Sequence, residues 1–301
     1  MATRSFGMIA ELNVNYSDVE DLITKSMAWI EGGSRRVVPE WRASAESGRV
    51  LKDPSKKNPE EPLGKQGDLI FLLTLTSGRG NHPRVINYSG EKTWERLRGA
   101  IPDMGRGDLE IRHIGPSGFP DDYISLGVVR LGGTNGMLRL YMTFLESEIA
   151  LNGARLSRRI SLMQDFSRFH GVRFGHVSYY YGLHMPTAYE DALNVDPLTS
   201  ILDRPQFSRG YSWVTLVTGS QVDRIQRDDR AREAFESLPL GALGHDCYWV
   251  QAADSWQEYV ASDLSVINQA FAPVLIPGAP KARVGTKMNL GLPPQLVYQG
   301  I

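Results

Sequence analysis

The stretch DLIFLLTLT, residues 68–76, narrows the choice of folds more than any other part of the sequence. Six of its nine residues are large and apolar, so it lacks the alternation of a strand with one face in water. A run of this length and composition is typical of a strand that is buried on both faces of a sheet. The sequence therefore predicts a sheet with residues 68–76 near its centre.

Other segments carry strand or helix patterns, but the two types do not alternate strictly along the chain. Helical spacing begins at a capping box of Ser17 and Glu20, and we expect Gly32 and Gly33 to end that helix. The predicted class is α+β, with a mixed, largely antiparallel sheet or sheets flanked by helices. Further strands are predicted at 5–16, 109–114, 123–131, 137–145, 172–183, 211–218 and 247–252, and further helices at 91–98 and 148–169, from Thr187, from Ser220, and after Ser262 or Asp263.

Two subdomains of similar architecture are expected, although no low-complexity linker separates them. The N-terminal α+β subdomain spans residues 1–150 and includes a long surface loop at 34–67, because that stretch has four prolines and no sustained period. The C-terminal α+β subdomain spans 151–276. Residues 277–301 combine prolines, glycines and basic residues without an acid, which predicts an irregular tail.

Charge and cysteine content exclude several functional classes. Lys and Arg number 33 against 34 Asp and Glu, so a net charge of -1 gives no field that would attract nucleic acid or an anionic membrane. A single cysteine, Cys247, excludes an internal disulfide framework and a zinc site built from several thiolates. No apolar segment resembles a signal peptide or a membrane helix, which favours a soluble cytoplasmic protein.

The sequence contains no complete motif for binding a cofactor or for a familiar class of hydrolase. Gly64 and Lys65 are followed by Gln66 where a phosphate-binding loop needs Ser or Thr, and neither a zinc-protease pattern nor a nucleophile elbow occurs. His176 and His184 share a strand face but lie about 26 Å apart if extended, too far for one metal ion. We therefore expect no cofactor and no metal site, and we interpret Cys247, beside His245 and Asp246, as a core residue.

The last third of the chain resembles a known family. The segments RGYSWVTLVTGSQVDRI, DCYWVQAAD and DLSVINQAFAPVLIP resemble a family of bacterial type VI secretion immunity proteins, formerly a domain of unknown function. The matching positions are Gly210, Trp213, Thr215 and Pro273, and the likeness covers the C-terminal third to half. On this interpretation Gly210, Trp213 and Thr215 belong to a framework strand that packs and does not catalyse, with Gly210 permitting the turn into it.

The resemblance implies a non-catalytic cytoplasmic protein that binds and neutralises a cognate toxin, without contacting nucleic acid or membrane. Aromatic and arginine anchors carry most of the binding energy in such interfaces. Our candidate contacts are Trp41 and Arg42 in the long loop, and Arg158 and Arg159, which with Arg155 face solvent on helix 148–169. Trp41 either forms an exposed anchor or pins the loop to the body of the protein, and we favour the second.

Two other functional classes stay open at this point. A self-assembling structural or scaffold protein of a phage or secretion particle would form homo-oligomers, with the tail after Pro277 as its swapping arm. A hydrolase would use His245 or His176 in a pocket with converging polar groups.

Overall fold

A computed structural model describes residues 7–52, 61–78, 82–131, 136–145, 153–180, 186–203, 206–262 and 264–278. The chain divides into two compact units. The first unit is residues 14–166, and the second unit joins residues 1–13 to residues 167–301. The sequence-based boundary fell after residue 150, whereas this division falls after Phe166, within a long helix.

The first unit contains an antiparallel meander extended by short edge strands. Strands β5, β6 and β7 pair in sequence order, and β3 pairs antiparallel with the far side of β5. The free edge of β3 is shared by β2, which is parallel to it, and β4, which is antiparallel. The strands are β2 (Val50–Leu51), β3 (Leu69–Ser77), β4 (Arg84–Ile86), β5 (Met104–Ile114), β6 (Pro120–Leu131) and β7 (Met137–Leu145).

Strand β3 contains the predicted apolar run, but the central position predicted for it is wrong, because β3 lies next to the short edge strands β2 and β4. It is hydrogen-bonded along both edges, and Leu69, Ile70, Phe71 and Leu73 are all fully buried. Residues 69–71 are buried on both faces, which explains why the run begins without polar alternation, whereas Leu72, Thr74 and Thr76 on one face are half-buried.

Helices precede and interrupt this sheet. They are α1 (Val19–Met27), a π-helical turn (Ala28–Gly32), α2 (Gly33–Val37), α3 (Trp41–Glu46), α4 (Glu91–Ala100), a 3-10 turn (Ile101–Asp103) and α5 (Gly153–His170), which enters the second unit after Phe166. Asp18 caps α1 by accepting a hydrogen bond from the Asp21 N–H at 2.9 Å, one residue later than the predicted cap at Ser17.

The predicted stop at Gly32 and Gly33 is wrong. Helical geometry continues through both glycines, because neither adopts the left-handed conformation of a helix C-cap. Gly33 instead allows close packing: a Cβ there would lie 3.2 Å from Leu162 Cδ2. The predicted loop at 34–67 is also wrong where the structure describes it, since α2, α3 and β2 fall within it. Residues 53–60 lie outside the described part.

The second unit is a smaller sheet with helices between its strands. The strand order is β1-β8-β9-β11-β10, and β8–β9, β9–β11 and β10–β11 are antiparallel. The strands are β1 (Gly7–Asn15, of which residues 7–13 belong here), β8 (Val172–Tyr179), β9 (Val214–Thr218), β10 (Leu240–Gly244) and β11 (Cys247–Gln251). The helices are α6 (Ala188–Leu193), α7 (Pro197–Asp203), α8 (Gly219–Gln226), α9 (Asp229–Glu236), α10 (Trp256–Ala261), α11 (Ser265–Phe271) and a 3-10 turn (Ala272–Val274).

Together the two units confirm the predicted α+β class with largely antiparallel strand pairing. The single helix expected after Ser220 is two helices, because Asp228 leaves helical geometry and caps α9 by accepting from the Ala231 N–H at 2.9 Å. Strand β10 and helix α10 had no counterpart in the prediction. Residues 279–301 of the predicted tail lie outside the described part, and so do residues 132–135 between the predicted strands 123–131 and 137–145.

Candidate functional site

A surface groove of about 740 Å³ lies in the first unit, between the α2–α3 segment and the N-terminal end of α4. Its volume is in the range of pockets that take a small ligand or an anchoring side chain of a partner protein. Two of the four candidate contact residues, Trp41 and Arg42, line it. The lining residues are Arg35, Pro39, Trp41, Arg42, Ala45, Glu46, Tyr88, Gly90 and Glu91.

An aromatic cluster forms the base of this groove. The Trp41 ring lies 5.3 Å from Phe71, 4.9 Å from Tyr88 and 6.3 Å from Trp94, measured between ring centroids. Trp41 is only 4% exposed, so it holds α3 against β3 and presents one edge to the groove. This agrees with the favoured interpretation, in which Trp41 pins the segment. Burial raises the pKa of Tyr88, and the negative charge of Glu91 raises it further.

Charged pairs form the rim of the groove. Arg42, with 89% of its side chain exposed, donates from Nε to Glu46 Oε1 at 2.8 Å. Arg35 donates to Glu31 Oε1 at 2.7 Å and reaches Glu91 Oε1 at 3.3 Å. The rim therefore presents both signs of charge in exposed pairs, which a partner can rearrange at little cost because exposed ion pairs are weak.

The other two candidates, Arg158 and Arg159, do not line the groove. Arg159 is 3% exposed, and its guanidinium carbon lies 4.5 Å from the centroid of the Phe144 ring. The predicted solvent-facing surface of Arg155, Arg158 and Arg159 is therefore wrong at Arg159. On α5 the Arg159 side chain turns onto an aromatic face, a contact that the helical spacing did not predict. Arg158 is partly exposed.

The framework residues of the resemblance are all buried in the second unit. Gly210 keeps a negative φ, so its role is close packing, not the turn that we expected: a Cβ would lie 3.0 Å from Thr187 Oγ1 and from Tyr189 Cβ. Trp213 lies just before β9 and donates from Nε1 to the Ala253 carbonyl at 2.9 Å. Thr215 lies within β9 and accepts from the Ser212 N–H at 2.9 Å.

Arg209, next to Gly210, is the centre of a buried ionic cluster that the sequence did not reveal. It donates to Glu190 Oε1 and Oε2 at 2.8 and 2.9 Å, to Asn13 Oδ1 at 3.0 Å, and to Glu11. All four side chains are almost fully buried. Burial by itself would lower the pKa of Arg209, but the charges of Glu11 and Glu190 outweigh it, so the pKa lies above its ordinary value.

His176 adjoins this cluster but makes no hydrogen bond within the described residues. It is 1% exposed, and its Nε2 lies 3.7 Å from Glu11 Oε2. Burial lowers the pKa of His176, and the charge of Glu11 only partly opposes that effect. A side chain this deeply buried cannot reach a substrate from solvent, which removes His176 as a hydrolase candidate. His184 lies outside the described residues.

The segment His245–Cys247 has the geometry of a tight turn. His245 and Asp246 adopt left-handed φ angles of 48° and 57°, and Cys247 follows as the first residue of β11. Burial raises the pKa of the Cys247 thiol to about 12, with a further contribution from Asp246. The thiol is thus protonated at neutral pH, the opposite of what a cysteine nucleophile needs.

The ranges that the structure describes contain neither a metal-binding cluster nor a membrane-spanning helix. No three His, Cys, Asp or Glu side chains converge there in a way that could hold a metal ion. No helix there is both long enough and apolar enough to cross a bilayer.

Comparison with known proteins gives distant structural likenesses. No family model matches the sequence, and no curated protein matches it. The T6SS protein PA0821 of Pseudomonas aeruginosa superposes with a TM-score of 0.46 at 12% identity, over 90% of this chain and 74% of that one. A second likeness is to a chain in the complex of the toxic C-terminal tip of CdiA from Pseudomonas aeruginosa with immune protein. Its TM-score is 0.26 at 12% identity, and the superposition covers 61% of this chain and 93% of that one.

Proposed function

We propose that this chain is a non-catalytic immunity protein of the bacterial cytoplasm, which binds and neutralises a cognate toxin of a type VI secretion system. The resemblance of its C-terminal segments to such immunity proteins motivates the proposal. The observation that carries it is the groove formed around Trp41 and Arg42. We assign this groove to contact with the toxin.

The composition of the groove supports a protein partner. Trp, Tyr and Arg dominate the residues that carry binding energy in protein interfaces. Here Trp41 and Tyr88 supply rigid apolar surface at the base, and Arg35 and Arg42 stand at the rim. Because the aromatic rings already pack on each other, little conformational entropy is lost when a partner side chain enters.

The charges of the rim support a partner with local patches of both signs. Arg42 and Glu46 form one exposed pair, and Arg35 and Glu91 form another. Complementary charges on a toxin would increase the association rate and select one toxin over others. A toxin surface of a single sign would meet repulsion from half of this rim.

The groove also lacks the nucleophile and base of a serine or cysteine hydrolase. Its lining contains no histidine, cysteine, serine or threonine, so it offers no nucleophile paired with an imidazole base. Inhibition by occlusion requires none of these groups, because it needs only a surface that covers the toxin's active site.

The test begins with purification of the tagged chain from its native bacterium and co-expression of each stoichiometric partner in a sensitive host. We expect one partner to kill the host when expressed without this chain and to be harmless when expressed with it. A set of partners without any toxic member would refute the immunity function.

The assignment of the groove is tested separately by calorimetric titration with the identified toxin. Arg42→Ala is expected to weaken binding by about 5- to 30-fold, the effect of a moderate to strong interface residue. Arg232→Ala is the matched control, because Arg232 also pairs with a carboxylate on its own helix, Asp229 at 2.7 Å, but lies in the second unit. Equal affinities for wild type and Arg42→Ala would refute the groove and leave the immunity function standing.

A further inference from the structure

Strand β10 is the last strand in the order of the second unit's sheet. It pairs with β11 on one side, and within the described ranges no strand pairs with its other side. The Gln251 N–H donates to the Pro239 carbonyl at 3.0 Å, so these opposed residues form a hydrogen-bonded pair. Such pairs alternate along an antiparallel ladder. Gly241, opposite Trp249, therefore points its N–H and C=O toward β11.

The same alternation turns the main-chain groups of Leu240 and Ala242 away from β11. Their side chains are exposed, and Leu240 retains 49% of its surface in water. The strand LGALG contains neither a charged residue nor a proline, the two residue types that commonly protect an edge. The Arg168 carbonyl oxygen lies 3.8 Å from the position that a Cβ on Gly244 would occupy. Phe169, the next residue after Arg168, is 72% exposed and therefore lies near the Gly244 end of β10.

This edge is self-complementary. A two-fold axis at Gly241 places Leu240 of one copy opposite Ala242 of the other, and each such pair can exchange both N–H···O bonds. Glycines meet at the axis, where no side chain obstructs the approach.

We propose that β10 is a self-association edge, through which two copies of this chain pair antiparallel and join their sheets. The inference is independent of toxin binding, which we assign to the first unit. Because β10 spans only Leu240–Gly244, with a register shift after Ala242, the contact is small and the dimer is weak and reversible. Because both copies use the same edge, the two-fold contact closes on itself and prevents open-ended assembly.

Sedimentation velocity across a concentration series from about 5 to about 300 µM tests this edge, because mass action drives weak association. The wild type is expected to shift from monomer toward dimer. Ala242→Pro removes an outward N–H without touching the β10–β11 ladder, and it should weaken association at least about tenfold. Ala242→Ser keeps that N–H and is the matched control, which should dimerise as the wild type does.

A charge exchange provides the second test. Leu240→Lys/Ala242→Lys and Leu240→Glu/Ala242→Glu should each be monomeric, because the register places like charges opposite each other across the axis. Mixing the two variants should restore a dimer containing one copy of each. A wild type that stays monomeric at every concentration would overturn the proposal, as would a dimer unaffected by both the proline and the charge variants.

Discussion

Replacing Arg209 by methionine should destabilise the second unit strongly. In the wild type this guanidinium makes two bonds to Glu190, at 2.8 and 2.9 Å, and further contacts to Glu11 and Asn13. Methionine fills much of the same volume without the charge. Arg209→Met therefore removes the positive charge that this guanidinium supplies to the carboxylates of Glu11 and Glu190, both 0% exposed.

The expected loss is about 3 to 5 kcal/mol, the usual cost of breaking a buried ion pair by removing one partner. That cost corresponds to a factor of about 10² to 10³·⁷ in the unfolding equilibrium constant. Lower pH should relieve part of the loss, because protonation of a stranded carboxylate removes its buried charge. The deficit relative to wild type should thus be larger at pH 7 than at pH 5.

Urea denaturation at both pH values measures the loss, and hydrogen exchange assigns it to residues 7–13 and 167–278. The neutral triple variant Glu11→Gln/Glu190→Gln/Arg209→Met is the control, and it should recover most of the stability because no unpaired charge remains. A loss below about 1 kcal/mol for Arg209→Met at pH 7 would refute the reasoning, since it would mean that water or another cation reaches the carboxylates.

Three further predictions concern single side chains. The pKa of His176 in the folded chain is lowered from 6.5, so the unfolded chain binds a proton at this residue first as the pH falls. The stability of the wild type should therefore fall below about pH 6.5, by up to about 1.4 kcal/mol per pH unit. Urea denaturation across this pH range should show a flatter stability profile for His176→Gln. Identical profiles would contradict this. Trp41→Ala should cost about 3 to 5 kcal/mol in thermal or urea unfolding, whereas Arg42→Ala should change stability by less than about 0.5 kcal/mol. Because the pKa of Cys247 is raised to about 12, iodoacetamide at pH 8 should label it only after unfolding, and rapid labelling of the folded chain would contradict its burial.

Local sequence pattern predicted the elements whose environment is uniform along their length. The run 68–76 begins with apolar residues because residues 69–71 of β3 are buried on both faces, and the meander β5–β7 follows from strand patterns separated by turn residues. Glycine residues predicted helix ends and turns less reliably. Gly33 and Gly210 were assigned to a helix stop and a turn, yet both serve close packing without positive φ.

The features of the candidate site depend on residues that lie far apart in sequence. The sequence around Trp41 could not assign it to an aromatic cluster, because its partners lie far away in sequence. Phe71 belongs to β3, Tyr88 to the loop before α4, and Trp94 to α4. The cluster around Arg209 joins residues 11, 13 and 190 across the chain. One signal was present in the sequence: an arginine beside apolar framework residues requires carboxylate partners if it is buried.

The most direct test of the central claim, that the groove around Trp41 and Arg42 holds the toxin, is hydrogen exchange of this chain with and without the toxin identified by co-expression. Binding in the groove predicts slower exchange at residues 33–46 and 88–91, which form its walls. Residues 214–218 of the buried strand β9 should be unchanged and serve as the internal control. Protection confined to residues 167–278, with residues 33–46 exchanging as in the free chain, would contradict the account.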